Sequence, residues 1–222
     1  MPLKASNVRG VIALGSYRPN AFDSGDMELL SNLAQHVSLA LDNSFRHTQL
    51  EEQSRLDSLT SVFNHGYFLK RLAEQAQNAN QNQTRVSLIM LDIDHFKLYN
   101  DTYGHLVGDR ILIALCTAIK SHIKHTDAVG RWGGEEFVIS LPGASGADAV
   151  RVAERIRQTM ASLQAEGRDQ KTMPVPTVSQ GIAVYPLDSD EIYRLVDLAD
   201  HRLYIAKERG RNQVEPGSDY WG

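Results

Sequence analysis

A short apolar run at residues 86–91 constrains the fold of this chain more than any other feature. Only Ser87 interrupts it, and it has the length of a strand rather than of a helix. A strand that is apolar on both sides must be covered on both sides, so we expect it at the centre of a sheet between helices. Two carboxylates, Asp92 and Asp94, follow directly and would lie at the lip of that sheet.

The segments around this strand alternate between helical and extended patterns. In chain order they predict helix, strand, helix, hairpin, helix, strand and helix. The helices are expected at 64–77, from about Asp94, and at 108–121, 147–163 and 192–209; the strands at 86–91, 128–132, 137–141 and 175–185; and polar loops at 78–83 and 164–174. Hairpin strands interleaved with helices indicate an α+β fold.

The N-terminal residues 1–55 have a different pattern. Residues 8–14 resemble a strand, residues 16–25 are rich in turn formers, and a long helix capped by Ser24 or Asp26 is expected to follow. Spacings of three and four along this helix form a heptad-like stripe of Met27, Leu30, Ala34, Val37, Leu41, Ser44 and Thr48. One strand and one helix cannot enclose a core, so this part is either a fragment of a domain or a dimerisation stalk.

Composition narrows the class of protein. A net charge of -4 and a pI near 6.1 give no general reason to bind nucleic acid or an anionic membrane. No apolar run approaches the roughly 20 residues that a membrane helix needs. The one cysteine, Cys116, excludes a disulfide within the chain and lies in an apolar run, so we expect a core thiol and a cytoplasmic protein.

A second pair of acidic residues lies at the tip of the predicted hairpin. Glu135 and Glu136 follow two glycines, which permit tight backbone geometry and close approach of a ligand. If the hairpin adjoins the central strand, both glutamates converge with Asp92, at a cost that a cation would offset. Magnesium prefers such oxygens together with phosphate, and two ions there would serve phosphoryl or nucleotidyl transfer. The alternative is a solvated acidic turn.

The hairpin sequence is similar to the signature of the GGDEF family, in a variant with two glutamates. Five further blocks resemble that family in the same order, across residues 57–214. The signature and blocks are Arg131-Trp132-Gly133-Gly134-Glu135-Glu136-Phe137; Asp57-Ser58-Leu59-Thr60; Asp92-Ile93-Asp94-His95-Phe96-Lys97 with Asn100-Asp101; Tyr103-Gly104-His105 with Gly108-Asp109; Ser179-x-Gly181-Ile182-Ala183; and Ala199-Asp200, Leu203-Tyr204, Ala206-Lys207 and Gly210-Arg211-Asn212.

This resemblance implies a fold and an organisation. The fold would be a palm-like, mostly antiparallel sheet of the nucleotidyl-cyclase type, flanked by helices and preceded by a strand and a long helix. A GGDEF catalytic domain would cover 56–215, followed by a disordered tail at 216–222. Residues 1–55 resemble the C-terminal end of a GAF domain in residues 9–14, Phe22, 26–30 and Leu33-Ala34, and would add a signalling and dimerisation helix.

The resemblance also implies an activity. A diguanylate cyclase condenses two GTP molecules into cyclic di-GMP and two pyrophosphates across a homodimer, using magnesium or manganese, two ions per half-site. Three other functions stay open: a catalytically silent module that binds GTP or cyclic di-GMP, a dimerising relay, and a cyclase with another purine substrate.

The family's roles can be assigned to residues of this chain. Asp92, Glu135 and the carbonyl of Ile93 would bind metal, and Glu136 would bind metal or deprotonate the attacking hydroxyl. Asn100 and Asp109 would pair with guanine between Leu59 and Phe96, while Lys97, Lys207 and Arg211 would contact phosphates. Structural alternatives are a helix N-cap for Asp109, a loop hydrogen bond for Asn100, core packing for Leu59 and Phe96, and helix C-terminal cations for Lys207 and Arg211, which would share a face if the helix persists.

One departure from the family pattern concerns its inhibitory product site. Where many members have Arg-x-x-Asp, this chain has Lys124-His125-Thr126-Asp127. Lysine cannot reproduce the planar, bidentate contact of arginine with guanine or phosphate. We therefore expect weak or absent product inhibition through Lys124 and Asp127.

Overall fold

The computed structural model describes residues 2–4, 9–19, 21–53, 55–163, 165–166 and 172–217. The chain divides into two compact units, 1–54 and 55–222. Within the described ranges, none of the helices has both the length and the apolar character needed to cross a membrane.

The first unit is a small hairpin and one long helix. Strands β1 (Pro2–Lys4) and β2 (Arg9–Val11) pair antiparallel, and helix α1 covers Ser24–Gln53. The sequence did not predict β1, and β2 is shorter than the predicted strand, whose Val8 lies outside the described residues. The predicted caps are also wrong, because Asp23 Oδ1 accepts the first free backbone N–H groups, from Gly25 and Asp26, at 2.8 and 3.0 Å.

The heptad-like stripe of α1 is partly covered within its own unit. The helix packs against β1, and Leu30 and Ala34 are buried, whereas Met27 is exposed. Thus the stripe residues Leu30 and Ala34 belong to the small core of this unit. The side chains of Ser44 and Thr48 lie outside the described residues.

The second unit contains the α+β arrangement that the sequence predicted. Its elements are α2 (His65–Gln81), β3 (Val86–Ile93), α3 (Phe96–Tyr103), α4 (His105–His122), β4 (Ala128–Arg131), β5 (Glu136–Pro142), α5 (Gly146–Ser162), β6 (Ala165–Glu166), β7 (Thr172–Met173), β8 (Val178–Tyr185), α6 (Ile192–Glu208) and β9 (Val214–Glu215). Five strands form one sheet in the order β4-β5-β3-β8-β9, antiparallel except for the pair β8–β9. The mostly antiparallel sheet flanked by helices is therefore confirmed.

Helices cover both faces of this sheet, so β3 is buried along its whole length as predicted. Side chains alternate along a strand. Ile89, Leu91 and Ile93 pack with α3, α4 and α5, whereas Leu88 and Met90 pack with α2 and α6. Cys116 lies in the first of these cores, and burial raises the pKa of its thiol to about 11.

Several predicted boundaries are wrong. Helix α2 continues to Gln81, into the polar tract at 78–83, because Ala79 is buried on the same face as Ala76. The helix expected from Asp94 begins at Phe96. The loop expected at 164–174 contains β6 and β7, which pair antiparallel. The expected tail at 216–222 follows β9, and 218–222 lie outside the described residues.

Helix α6 is held closely against β8, and this contact positions its last turn. A Cβ on Gly181 would come within 2.1 Å of the carbonyl oxygen of Ala199, so the two backbones approach at this point. Arg202 donates to both carboxylate oxygens of Asp188, at 2.9 and 2.8 Å, and to the carbonyl of Ile182 at 2.6 Å. The end of α6 therefore lies at a fixed place beside β8 and β3.

Candidate functional site

Three carboxylates converge where β3 meets the hairpin of β4 and β5. Asp92 lies directly opposite Glu136 in the register of β3 and β5. Met90 and Val138, two positions away on the same strands, pack against α2 and α6. Because side chains alternate along a strand, Asp92 and Glu136 lie on this same face of the sheet. Glu135 adjoins them, and its carbonyl accepts the backbone N–H of Ile93 at 3.4 Å. The convergence expected from the sequence is thus present.

Negative charge at this edge is confined and only partly compensated. Asp92 is 5% exposed, and burial raises its pKa, an effect that the hydrogen bond and charge of Lys207 oppose. Burial, then the charge of Asp92, raises the pKa of both Glu135 and Glu136. A cation bound at this edge would therefore stabilise the ionised form of each carboxylate.

Arg131 fixes the turn that carries the glutamates. Its guanidinium donates to both carboxylate oxygens of Asp57, at 3.1 and 3.3 Å, and to the carbonyls of Gly133 and Gly134. The same carboxylate accepts the backbone N–H and hydroxyl of Thr60 at 2.8 and 2.6 Å. Burial alone would raise the pKa of Asp57, but the bonds from Thr60 and the Arg131 guanidinium lower it.

Asp94 is a supporting residue for which the sequence reading gave no role. Its side chain accepts the hydroxyls of Thr177 and Ser179, at 2.6 and 2.7 Å, and the backbone N–H of Asn212 at 3.0 Å. It therefore ties the end of β3 to β8 and to the loop that follows α6. The sequence signal for this position was its i, i+2 spacing from Asp92, which places both carboxylates on the same side of an extended chain.

A second group of predicted residues lies between α3 and α4. Asn100 Oδ1 is buried, and no hydrogen-bond partner for it occurs among the described residues. A Cβ on Gly108 would lie 1.8 Å from this oxygen and 3.1 Å from the ring of Phe96, so only glycine fits here. An acceptor in this position suits an N–H donor such as those on the guanine edge.

The remaining pocket residues are placed less specifically. Asp109 follows Gly108, and since α4 begins at His105, the alternative that Asp109 caps this helix is wrong. Leu59 is partly buried against the core that contains Phe96. This placement agrees with the alternative that both residues pack in the core, and it is also compatible with a role as walls of the guanine pocket.

The predicted phosphate-binding cations differ in their surroundings. Lys207 lies in the last turn of α6, and its ammonium is 2.9 Å from Asp92 Oδ1. Arg211 lies beyond the helix, which ends at Glu208, and adopts a left-handed backbone with φ 63°. The premise that a persisting helix would align Lys207 and Arg211 is therefore wrong. Lys97 is exposed in the first turn of α3.

The donor set suits a divalent metal that also binds phosphate. Across the described residues, no three acidic, histidine or cysteine side chains are arranged to hold a metal by themselves. Magnesium usually takes one or two carboxylates and completes its shell with water and substrate phosphates. Asp92 and the adjoining glutamates supply that partial set, with excess negative charge.

Lys124 and Asp127 line a separate cavity of about 700 Å³, together with Arg151 and Arg155. The carboxylate of Asp127 accepts the backbone N–H of Lys124 at 2.7 Å. The cavity therefore contains two arginines, while position 124 itself offers only a single ammonium.

Sequence comparisons agree with these features. The profile of the family described as "Diguanylate cyclase, GGDEF domain" matches residues 54–213. Diguanylate cyclase A of Treponema denticola is 35% identical over 222 residues, which is 96% of this chain and 58% of that protein. Diguanylate cyclase TpbB of Pseudomonas aeruginosa is 38% identical over 167 residues, 74% of this chain and 38% of that protein. This chain thus spans less than two thirds of either relative.

Solved structures resemble the second unit. The GGDEF domain of DgcB from Caulobacter crescentus, solved in complex with c-di-GMP, is 32% identical with a TM-score of 0.68, covering 72% of this chain and 92% of that one. The GGDEF domain of TpbB from Pseudomonas aeruginosa is 36% identical with a TM-score of 0.69, over the same shares of the two chains.

Proposed function

Because this chain belongs to the GGDEF-domain family, we propose that it is a diguanylate cyclase that converts two GTP into cyclic di-GMP and two pyrophosphates. The convergence of Asp92 with Glu135 and Glu136 carries this proposal. It supplies carboxylate oxygens at the edge of a rigid sheet, where a nucleotide's phosphates can share a metal with them.

We propose that the guanine base is read by Asn100 and Asp109, between Leu59 and Phe96. The buried, unpaired Oδ1 of Asn100 supports this role, because guanine offers N1–H and N2–H where adenine lacks the same donors. If a base without these donors occupied the site, the buried acceptor would stay unpaired, so the site discriminates strongly against that base. Both the choice of GTP over ATP and the need for glycine at position 108 follow from this arrangement.

The chemistry is proposed at the carboxylate edge. Asp92, Glu135 and the Ile93 carbonyl would hold Mg²⁺ or Mn²⁺, two ions per half-site, which neutralises charge on the reacting phosphate. Glu136 accepts the proton of the attacking 3′-hydroxyl, a role that suits a carboxylate with a raised pKa. The 3′-oxygen bonds to the α-phosphorus of the second GTP as the bond to pyrophosphate breaks. Lys97, Lys207 and Arg211 steady the departing charge.

The product requires two such half-sites, and we propose that they come from a homodimer. Each cyclic di-GMP contains two equivalent nucleotides, so two protomers facing each other can each supply one GTP and one attacking hydroxyl. The rate per protomer should therefore rise with protein concentration until dimers saturate. A rate independent of concentration over a range in which the chain is monomeric would contradict the dimer mechanism.

We further propose the division of the chain and its setting. Residues 56–215 would be the catalytic GGDEF domain, with the Gly-Gly-Glu-Glu-Phe variant of the signature, and 216–222 a disordered tail. Residues 1–55 would be the end of a GAF-like sensory domain with a signalling helix. A cytoplasmic location, where GTP is available, completes the proposal.

Product analysis tests the function directly. The purified chain is incubated with GTP and Mg²⁺, and nucleotides are separated by chromatography, with ATP in a parallel reaction. Cyclic di-GMP and pyrophosphate should form from GTP alone. If the chain binds GTP or cyclic di-GMP but forms no product at high protein concentration, it is a silent binding module.

A further inference from the structure

The ion pair between Lys207 and Asp92 joins two residues with separate proposed roles. Asp92 is the most buried of the three converging carboxylates and would bind metal, while Lys207 would bind phosphate. Yet their side chains contact each other at 2.9 Å. Lys207 is also the cation whose charge opposes the raised pKa values of Glu135 and Glu136. The Lys207 ammonium therefore acts on all three carboxylates, and Arg211 adds a weaker effect on Asp92.

Lys207 and a divalent metal compete for the same place. A metal ion bound to Asp92 would lie about 2.1 Å from a carboxylate oxygen, the usual Mg–O distance. The metal and the Lys207 ammonium would then be two cations at the same carboxylate, and they would repel each other. The outer phosphates of GTP provide an alternative anionic partner. Lys207 can reach a different partner by rotating its flexible stem, because its side chain is 30% exposed.

We propose that Lys207 is a placeholder cation, which neutralises Asp92 in the free protein and transfers to the nucleotide phosphates when metal and GTP bind. This inference rests on the proposed function. It links the two ligands, since metal weakens the hold of Asp92 on Lys207 and so frees the lysine for phosphate. By reciprocity, phosphate that draws Lys207 away strengthens metal binding by the same factor.

Metal binding without nucleotide tests the competition. Free Mn²⁺ is measured by electron paramagnetic resonance for the full chain, Lys207→Met and Lys207→Arg. Removing the competing ammonium should tighten Mn²⁺ binding about tenfold, the usual weight of one charge-assisted contact, whereas Lys207→Arg should bind like the original chain. Lys70→Met, an exposed lysine of α2, makes the same change of net charge and should have no effect. Asp92→Asn should abolish the measured binding.

Equal Mn²⁺ affinity of Lys207→Met and the original chain would overturn the proposal. If GTP were still converted to cyclic di-GMP, the proposed function would stand and only the placeholder role would fall. If Asp92→Asn bound Mn²⁺ as well as the original chain, both with and without GTP, the placeholder role and the proposed function would both be overturned.

A measurement on the unaltered chain avoids any effect of substitution on folding. The ¹⁵N signal of the Lys207 ammonium should shift when Mg²⁺ is added and shift again when GTP follows. A signal that does not respond to Mg²⁺, under conditions in which the metal binds, would show that Lys207 stays on Asp92 and would contradict the inference.

Discussion

Arg131 binds Asp57 through two hydrogen bonds while donating to the carbonyls of Gly133 and Gly134, in the turn that precedes Glu135 and Glu136. Asp57→Asn should lower the free energy of unfolding by about 1–3 kcal/mol, because a half-buried guanidinium loses its charged partner. Turnover should fall more than GTP affinity, since the turn carries Glu135 and Glu136. Chemical denaturation and steady-state kinetics measure the two effects.

Arg151→Met is the matched control for that substitution. Arg151 pairs with Asp148 in an exposed position, so its loss should cost less than about 0.5 kcal/mol. Equal losses from both substitutions would contradict the role assigned to the pair of Arg131 and Asp57.

Gly108→Ala should remove guanine binding while the domain stays folded. A Cβ there would collide with Asn100 Oδ1, at 1.8 Å, and move the side chain that we assign to the base. We expect at least about a tenfold loss of GTP affinity, measured by calorimetry. Gly66→Ala, near the start of α2, would place its added Cβ 3.8 Å from Asn64 Oδ1, an ordinary contact, and should bind GTP normally. If both variants bound GTP with similar affinity, close packing against Asn100 would not be the reason that position 108 is a glycine.

Asp94→Ala should destabilise the domain strongly although Asp94 has no assigned chemical role. It would leave two hydroxyls and the backbone N–H of Asn212 without their acceptor, at a cost of about 2–4 kcal/mol. Thermal unfolding measures this loss. Asp101→Ala, an exposed position on α3, should change stability by less than about 0.5 kcal/mol. A stable Asp94→Ala protein would show that β8 and the loop after α6 do not depend on this carboxylate.

Metal-free stability should depend on the acidic edge. Because the folded pKa of Glu135 is raised above its ordinary value of 4.5, its charge opposes folding at neutral pH, and this effect fades as the pH falls through the folded pKa. Glu135→Gln should therefore stabilise the metal-free protein at pH 7, on the order of 0.5 kcal/mol, and by less near pH 4.5.

Thermal denaturation at both pH values measures this difference, with Asp197→Asn on the exposed side of α6 as the control. Added Mg²⁺ should stabilise the original chain more than Glu135→Gln. A Glu135→Gln protein that is less stable than the original at pH 7 without metal would contradict the charge account.

Product inhibition should be weak in this chain and should strengthen in Lys124→Arg. The planar guanidinium would restore bidentate recognition beside Asp127, in a cavity that already contains Arg155. Inhibition by millimolar cyclic di-GMP is measured for the original chain, Lys124→Arg and Lys124→Ala. Strong inhibition of the original chain that is lost in Lys124→Ala would refute the prediction.

Local patterns predicted the elements that form the acidic edge. The apolar run before Asp92 identified a central strand, and the glycines before Glu135 identified the hairpin, so their convergence followed once the two were neighbours. Alternation along each strand then places Asp92 and Glu136 on one face.

Long-range contacts could not be predicted in the same way. The partners of Asp94 lie 83 to 118 residues away, and a hydroxyl on a strand gives no signal of where it will donate. The polar end of α2 was misread because burial of Ala79 outweighs the weak helix propensity of asparagine. The pair of Lys207 and Asp92 depends on how α6 packs on β8, which spacing alone does not specify.

The initial rate of cyclic di-GMP formation tests the central claim most directly. The original chain and Asp92→Asn are compared at equal concentration with GTP and Mg²⁺, after circular dichroism has shown that both are folded. We predict cyclic di-GMP and pyrophosphate in a 1:2 ratio from the original chain, and a rate at least about a hundredfold lower from Asp92→Asn. Equal rates from both proteins, or GTP consumption without cyclic di-GMP, would contradict the assignment of this edge as the catalytic site.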